Sequence, residues 1–463
     1  MTSTREGVIE MKFERESIRL LERALGDLER GFSDLPDLEV DLDLKAMGEV
    51  MAEVADRMKD NFPYFHPYYA GQMLKPPHPI ARAAYMMSMW INPNNHAMDG
   101  GRASSIMEKE AVSEIAAMFG WKEHIGHLTG GGTMANMEAL WVSGKKHPGK
   151  FVVASEQAHY THSRISDVLG LPFDPVPADD AGRMDLQALE ERLRGGDVGT
   201  VVTTIGTTGT GSLDPLPEIL ELKERYDFRL HADAAYGGYY VLVDNLSSQT
   251  RDVFDHLGEV DSIVIDPHKH GLQPYGCGCI LFRDPEVGTL YKHDSPYTYF
   301  TSSDLHLGEI SLECSRAGAS AVALWATQRL MPLVPGGEFA SGLASCREAA
   351  MNIHDRIVSD SRFLDIFPPE LDILVYALKG DTAGSISHLD EMFFDSTALK
   401  GLHLAKFRYP SHSLESRWNG VKFDRGEITC LRSCLMKPEH LEHLDELWEI
   451  MKRSASEVQL LSI

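Results

Sequence analysis

The pentapeptide Asp266-Pro267-His268-Lys269-His270 follows a β-branched run, Ser262-Ile263-Val264-Ile265. Such a run reads as a buried strand, and Pro267 ends it and turns the chain out. A lysine is thereby placed at the carboxyl end of an α/β strand, where ligands of such folds bind. A second strand end, His231-Ala232-Asp233-Ala234-Ala235-Tyr236-Gly237-Gly238, carries a lone acid. An amine that can condense with an aldehyde, and an acid on a neighbouring strand that can keep a ring nitrogen protonated, are what pyridoxal phosphate (PLP) asks of a protein.

A third segment, Leu128-Thr129-Gly130-Gly131-Gly132-Thr133-Met134-Ala135-Asn136, opens a helix. Its glycines let backbone N–H groups approach an anion, Thr133 adds a hydroxyl, and the helix N-terminus favours a phosphate. Three glycines alone indicate only a tight turn; the lysine and the acid downstream give them a ligand. Asp233 has a plain reading as a turn cap and a functional one as partner of a pyridinium nitrogen, with Ala235 small enough to line one ring face. His159, just past the strand Phe151-Val152-Val153-Ala154, could stack on the other face and move a proton. The chain holds 20 histidines, so an idle one is the competing reading. His159-x-x-His162 hints at a metal pair, but nothing nearby completes a ligand set, and no metal is expected. In Gly206-Thr207-Thr208-Gly209 the hydroxyls suit either ring substituents or ordinary turn chemistry.

These groups need elements to hold them. Residues 1–60 show helical spacing of Ile18, Leu21, Leu25 and Leu28, and again of Leu44, Met47, Met51, Val54 and Met58. Residues 62–95 are rich in Pro, aromatics and Met and read as an extended arm lying on a partner subunit. From about 100 to 330, strand and helix patterns alternate, which argues for a mostly parallel sheet covered by helices. Gly336-Gly337 marks a boundary. The expected division is a helical segment and arm over 1–95, a ligand-binding large domain over 96–335 and a small α+β domain over 336–463.

The net charge of −25 argues against nucleic acid and anionic membranes as partners. No apolar run reaches the roughly 18 residues of a membrane span, and the first residues lack a charged-then-apolar leader. Six cysteines in 463 residues are sparse and suit a reducing, cytoplasmic setting. Cys277-x-Cys279 and Cys430-x-x-x-Cys434 fit buried thiols better than half-sites for zinc.

The order Gly-Gly-Gly-Thr, Ala-His, Gly-Thr-Thr, His-x-Asp-Ala-Ala-Tyr-Gly-Gly, Asp-Pro-His-Lys resembles the group II PLP-dependent amino acid decarboxylases over about residues 62–440. Glu313-Cys314-Ser315-Arg316-Ala317-Gly318-Ala319 and Leu431-Arg432-x-x-Leu435-Met436-x-Pro438 extend the likeness. The resemblance implies an α/β, PLP fold type I (aspartate aminotransferase-like) large domain, an N-terminal helical arm and a small C-terminal α+β domain. It implies decarboxylation of an L-amino acid to amine and CO2. By motif, Lys269 would hold the cofactor aldehyde, with His268, Gly131, Gly132 and Thr133 at the phosphate. Asp233 would pair with the ring nitrogen, Thr208 would lie near the ring oxygen and His159 would stack. Tyr275, Arg432, Gln72 and Asn95 become substrate candidates, and Tyr297, or Tyr299, the donor of a proton to Cα. A homodimer with its active site at the subunit interface is implied as well.

Two features depart from the family pattern. Many relatives have Ser or Asn where this chain has Asp266, so a carboxylate would stand beside a phosphate unless it bonds backbone N–H groups. The segment after the lysine, Ser295-Pro296-Tyr297-Thr298-Tyr299-Phe300, is short. An aminotransferase, a lyase or an aldehyde-forming oxidative decarboxylase would share the same scaffold, as would a PLP-binding protein without activity. Tyr68, Tyr69, Tyr275 and Tyr297 favour an aromatic substrate; His78, His96 and Arg102 would suit an acidic one.

Overall fold

The computed structural model describes residues 13–292 and 310–461. Seven strands build the larger sheet: β1 (Ile125–Thr129), β2 (Phe151–Ser155), β3 (Phe173–Val176), β4 (Val198–Thr204), β5 (Arg229–Asp233), β6 (Ser262–Ile265) and β7 (Gly278–Phe282). Their order is β1-β7-β6-β5-β4-β2-β3. β2 runs parallel to β3 and β4, β4 to β5, and β5 to β6. Only β7 is reversed, antiparallel to both β6 and β1. Every residue of β4, β6 and β7 is buried, as a sheet covered on both faces requires.

Two strands escape the hydrophobic pattern for local reasons. β1 interrupts its apolar text with Gly126 and His127, and β3 contains Pro175, which an edge strand accommodates. The register that matters pairs Thr204 with Asp233 and Asp233 with Val264. It sets the carboxyl ends of β4, β5 and β6 side by side.

The second sheet, β8 (Phe363–Asp365), β9 (Ile373–Leu378), β10 (Ala405–Pro410) and β11 (Glu427–Cys434), is antiparallel in the order β10-β11-β9-β8. The central strand β9 is buried on both faces. Ile373, Val375 and Ala377 join the cluster that holds Ile205, Ile263 and Cys279 of the large sheet. Leu374, Tyr376 and Leu378 point the other way, into a cluster with Phe393 and Trp448 of the helices Ala383–Leu399 and Leu444–Leu461. One apolar core therefore runs across the boundary at Gly336-Gly337.

The segment 62–95 differs from the extended arm expected. Pro79 at the first helical position and the His78 ring accepting from the Ile80 N–H start a helix, Pro79–Ser88. Its first stretch lies on its own chain. The Ala70 N–H donates to the His403 carbonyl at 2.8 Å, and the Cys434 N–H donates to the Ala70 carbonyl at 2.8 Å. The helix Leu44–Met58, by contrast, buries none of its residues.

Candidate active site

A cavity of about 550 Å³ opens at the carboxyl ends of β1, β2, β4, β5 and β6. Lys269, Asp233, His159, Gly131, Gly132, Thr133, Thr208, Ala235 and His268 all line it. Sequence positions far apart meet there because each follows a strand of the same sheet.

At one end lies the first turn of the helix Gly132–Lys146. No side chain caps this helix, so its first N–H groups are left for a ligand. Gly131 takes φ 151°, a conformation that favours glycine. A Cβ on Gly132 would stand 2.7 Å from Asp266 Oδ2, so glycine is required there by close approach. His268 donates from Nδ1 to the Cys277 carbonyl at 2.7 Å, which fixes its ring at the cavity edge.

At the other end is Asp233, 5 % exposed. His162 donates from Nε2 to Asp233 Oδ2 at 2.9 Å, and Asn136 donates from Nδ2 to the same oxygen at 3.3 Å. The Ala235 N–H donates to Oδ1 at 3.2 Å. His231 supports Asn136, donating from Nε2 to its Oδ1 at 2.8 Å while accepting from the Ser262 hydroxyl at 2.9 Å. Burial pushes the Asp233 carboxyl up. The hydrogen bond and electrostatic pull of His162, with the charge of Lys269, outweigh it and hold the group well below the usual carboxylate range. Burial pushes His231 down to about 3, so it is a neutral prop. His162, which the sequence offered only as half of a metal pair, is thus a support for the acid; Asn136 and His231 carried no functional reading at all.

Between the two ends lie the amine and the walls. Lys269 Nζ is 3.1 Å from Asp266 Oδ2. Asp266 does not bond backbone N–H groups as expected: its Oδ1 has no hydrogen-bond partner among the described residues, and Oδ2 takes the lysine. His159 is fixed through Nδ1 by the Thr161 hydroxyl at 2.8 Å, and burial lowers its basicity. Thr207 is consumed by Thr210 at 2.8 Å, whereas Thr208 faces the cavity, joined by Thr204, which the sequence did not single out.

The candidate substrate residues lie elsewhere. Asn95 is fully buried: it donates to Glu108 Oε2 at 2.5 Å and accepts from the Ser104 hydroxyl, while its carbonyl accepts from Arg316 at 2.9 Å. That network braces β1, so Asn95 has no amide group to spare for a substrate. Arg432 donates to Gln72 Oε1 at 3.1 Å on the seam between arm and small sheet, and neither lines the cavity. Tyr275 stacks on His268 with ring centroids 4.8 Å apart, donates to the Met73 carbonyl at 3.0 Å and stays outside the wall. His78, His96 and Arg102 are outside it too. Tyr297 and Tyr299 lie outside the described residues.

An anion-binding helix end, a buried anionic acid, an amine between them and a wall made of His159 and Ala235 fit PLP. Among the described residues no group of His, Cys, Asp and Glu could hold a metal ion, and no helix is long and apolar enough to cross a membrane.

Comparison with known proteins gives the same direction. A family model described as the pyridoxal-dependent decarboxylase conserved domain matches residues 28–379. An L-tyrosine decarboxylase of Enterococcus faecium is 26 % identical over 469 residues, covering 76 % of each chain. An L-aspartate decarboxylase of Thermococcus kodakarensis is 29 % identical over 414 residues, covering 88 % of this chain and 97 % of its own. Among solved structures, an Oryza sativa TDC with PLP and tryptamine superposes with a TM-score of 0.77 at 16 % identity over 97 % of this chain and 99 % of its own, a likeness of fold.

Proposed function

From the premise that the chain belongs to the pyridoxal-dependent decarboxylase family, and so releases CO2 from an amino acid with PLP as cofactor, we infer that its substrate is an aromatic L-amino acid. The observation that carries the chemistry is the meeting of Lys269 and a firmly anionic Asp233 in one cavity. Two features support an aromatic side chain. Met134, Met137, Ala235 and Tyr236 give the cavity apolar and aromatic surface. Among its described lining residues Lys269 is the one Lys or Arg side chain, and Asp266 engages it, so a second carboxylate on the substrate would find no free cation.

When bound, PLP supplies an electron sink for the pair left behind as CO2 departs. Lys269 would hold its aldehyde. Gly131, Gly132, Thr133 and the helix end would bind its phosphate, with His268 beside them. Asp233 would keep a proton on the ring nitrogen, and His162 keeps Asp233 able to do so. His159, neutral and tethered by Thr161, would cover one ring face, Ala235 the other, and Thr208 would reach the ring oxygen.

Two further readings belong to this proposal. The enzyme is a homodimer, which the exposed apolar stripe of the helix Leu44–Met58 supports. Dimer formation would let a second copy contribute to the cavity mouth. It is cytoplasmic, since all six cysteines are unpaired.

The test is incubation of protein and PLP with each of the twenty amino acids while released CO2 and amine are measured. Tyrosine, tryptophan or phenylalanine should react fastest, and Lys269→Ala should form no amine. Preference for aspartate, or a keto acid product, would overturn the substrate reading; turnover by Lys269→Ala would overturn the role of the lysine.

A further inference from the structure

Asp266 is a carboxylate in a place that ought to repel the phosphate of the cofactor. It leaves β6 three residues before Lys269, and the Lys269 N–H donates to its carbonyl at 2.9 Å. This single turn puts both side chains on one side, with Nζ 3.1 Å from Oδ2. The carboxyl side chain is 3 % exposed, and Oδ1 has no hydrogen-bond partner among the described residues. It presses on the first turn of the helix Gly132–Lys146, where any side chain at Gly132 would displace it. His268 Nε2 stands 3.5 Å from Oδ2. The other titratable groups around the pair are His159, Asp233 and His270, with Tyr239, Tyr275, Cys277 and Cys279 behind.

We propose that Asp266 is the proton acceptor for Lys269 during cofactor loading, and that once protonated it faces the phosphate as a neutral acid. In the free protein the carboxylate holds the amine as an ammonium, 3.1 Å away. An ammonium cannot attack an aldehyde. One proton passes from Nζ to Asp266, the freed lone pair forms the nitrogen–carbon bond, and the two remaining amine hydrogens leave with the aldehyde oxygen as water. The charge balance is kept, because ammonium and carboxylate become amine and acid. The acid then offers a donor to the phosphate where an anion would repel it. The inference rests on Lys269 being the residue that holds PLP.

The two ideas are tested separately. Borohydride reduction of the PLP-loaded wild-type protein should fix the cofactor mass on the peptide containing Lys269; its absence there would sink the reading of the lysine whatever Asp266 does. For Asp266, PLP is stripped from the full chain and Lys269 is labelled with trinitrobenzenesulfonate over a range of pH, read by peptide mass spectrometry. In Asp266→Asn, Lys269 should be labelled several-fold faster than in the wild type, since the carboxylate 3.1 Å from Nζ no longer engages the amine. Asp266→Ser serves as a second variant, with circular dichroism to show that each is folded. An unchanged labelling rate in a folded variant would overturn the proposal.

Discussion

Asp233 shows how a buried acid is kept charged. Burial alone favours the neutral form, and the His162 donor with the nearby charge of Lys269 reverses the balance. Replacing Asp233 by Asn keeps the shape but removes the charge that would hold a proton on the cofactor ring. Turnover should fall on the order of a hundredfold or more, measured as kcat at saturating PLP. The same depression has a stability signature. A carboxyl whose folded pKa lies below its unfolded one stabilises the fold above the unfolded value, near pH 4, and loses that contribution as pH falls. The wild type should therefore lose more of its stability than Asp233→Asn between about pH 5 and pH 3, followed by urea unfolding. Lys269, Asp233 and the glycine run were legible in the sequence because each follows a strand pattern and the three together suit one ligand. His162, Asn136 and His231 were not, because their partner is a carboxylate on another strand and only the sheet brings them to it. Asn95 and Arg432 stand outside the cavity of their own chain for a related reason: the fold engages them with Glu108 and Gln72.

The helix Gly132–Lys146 joins the cavity to the edge of the sheet. Its first turn faces the ligand, while Glu138, fully buried, binds His127 of β1 at 2.9 Å and accepts from the Leu312 N–H at 3.3 Å. Burial pulls the basicity of His127 down, but the Glu138 charge and hydrogen bond more than offset it, and the net direction is upward. A histidine so raised stabilises the fold fully below its unfolded pKa, about 6.5, and loses that contribution as pH climbs through the raised value. Glu138→Gln should thus cost on the order of 3 kcal/mol at pH 6 and less at pH 9, read from urea midpoints. At this scale β2, β5 and β6 were readable from their own residues, and β4 and β7 within the alternation of strand and helix patterns. β1 and β3 were hidden by Gly126, His127 and Pro175, and the helix Pro79–Ser88 by the proline that starts it.

Across the whole molecule the least settled surface is the N-terminal one. Leu44, Met47, Met51, Val54 and Met58 are 45–72 % exposed along one helical stripe, more apolar surface than a solitary helix keeps in water. A second copy of the chain is the proposed cover. Met47→Glu with Met51→Glu should shift the mass seen by light scattering from dimer towards monomer; an unchanged dimer mass would remove the helix from the interface. The seam between the two sheets carries a different consequence. Ile205 and Ile263 share one interior with Ile373, Val375 and Cys430, so the carboxyl-terminal third is not an appendage. Trimming the gene after Gly336 would strip the inner wall from the catalytic half and leave greasy side chains facing solvent. The shortened product would clump before its chemistry could be assayed.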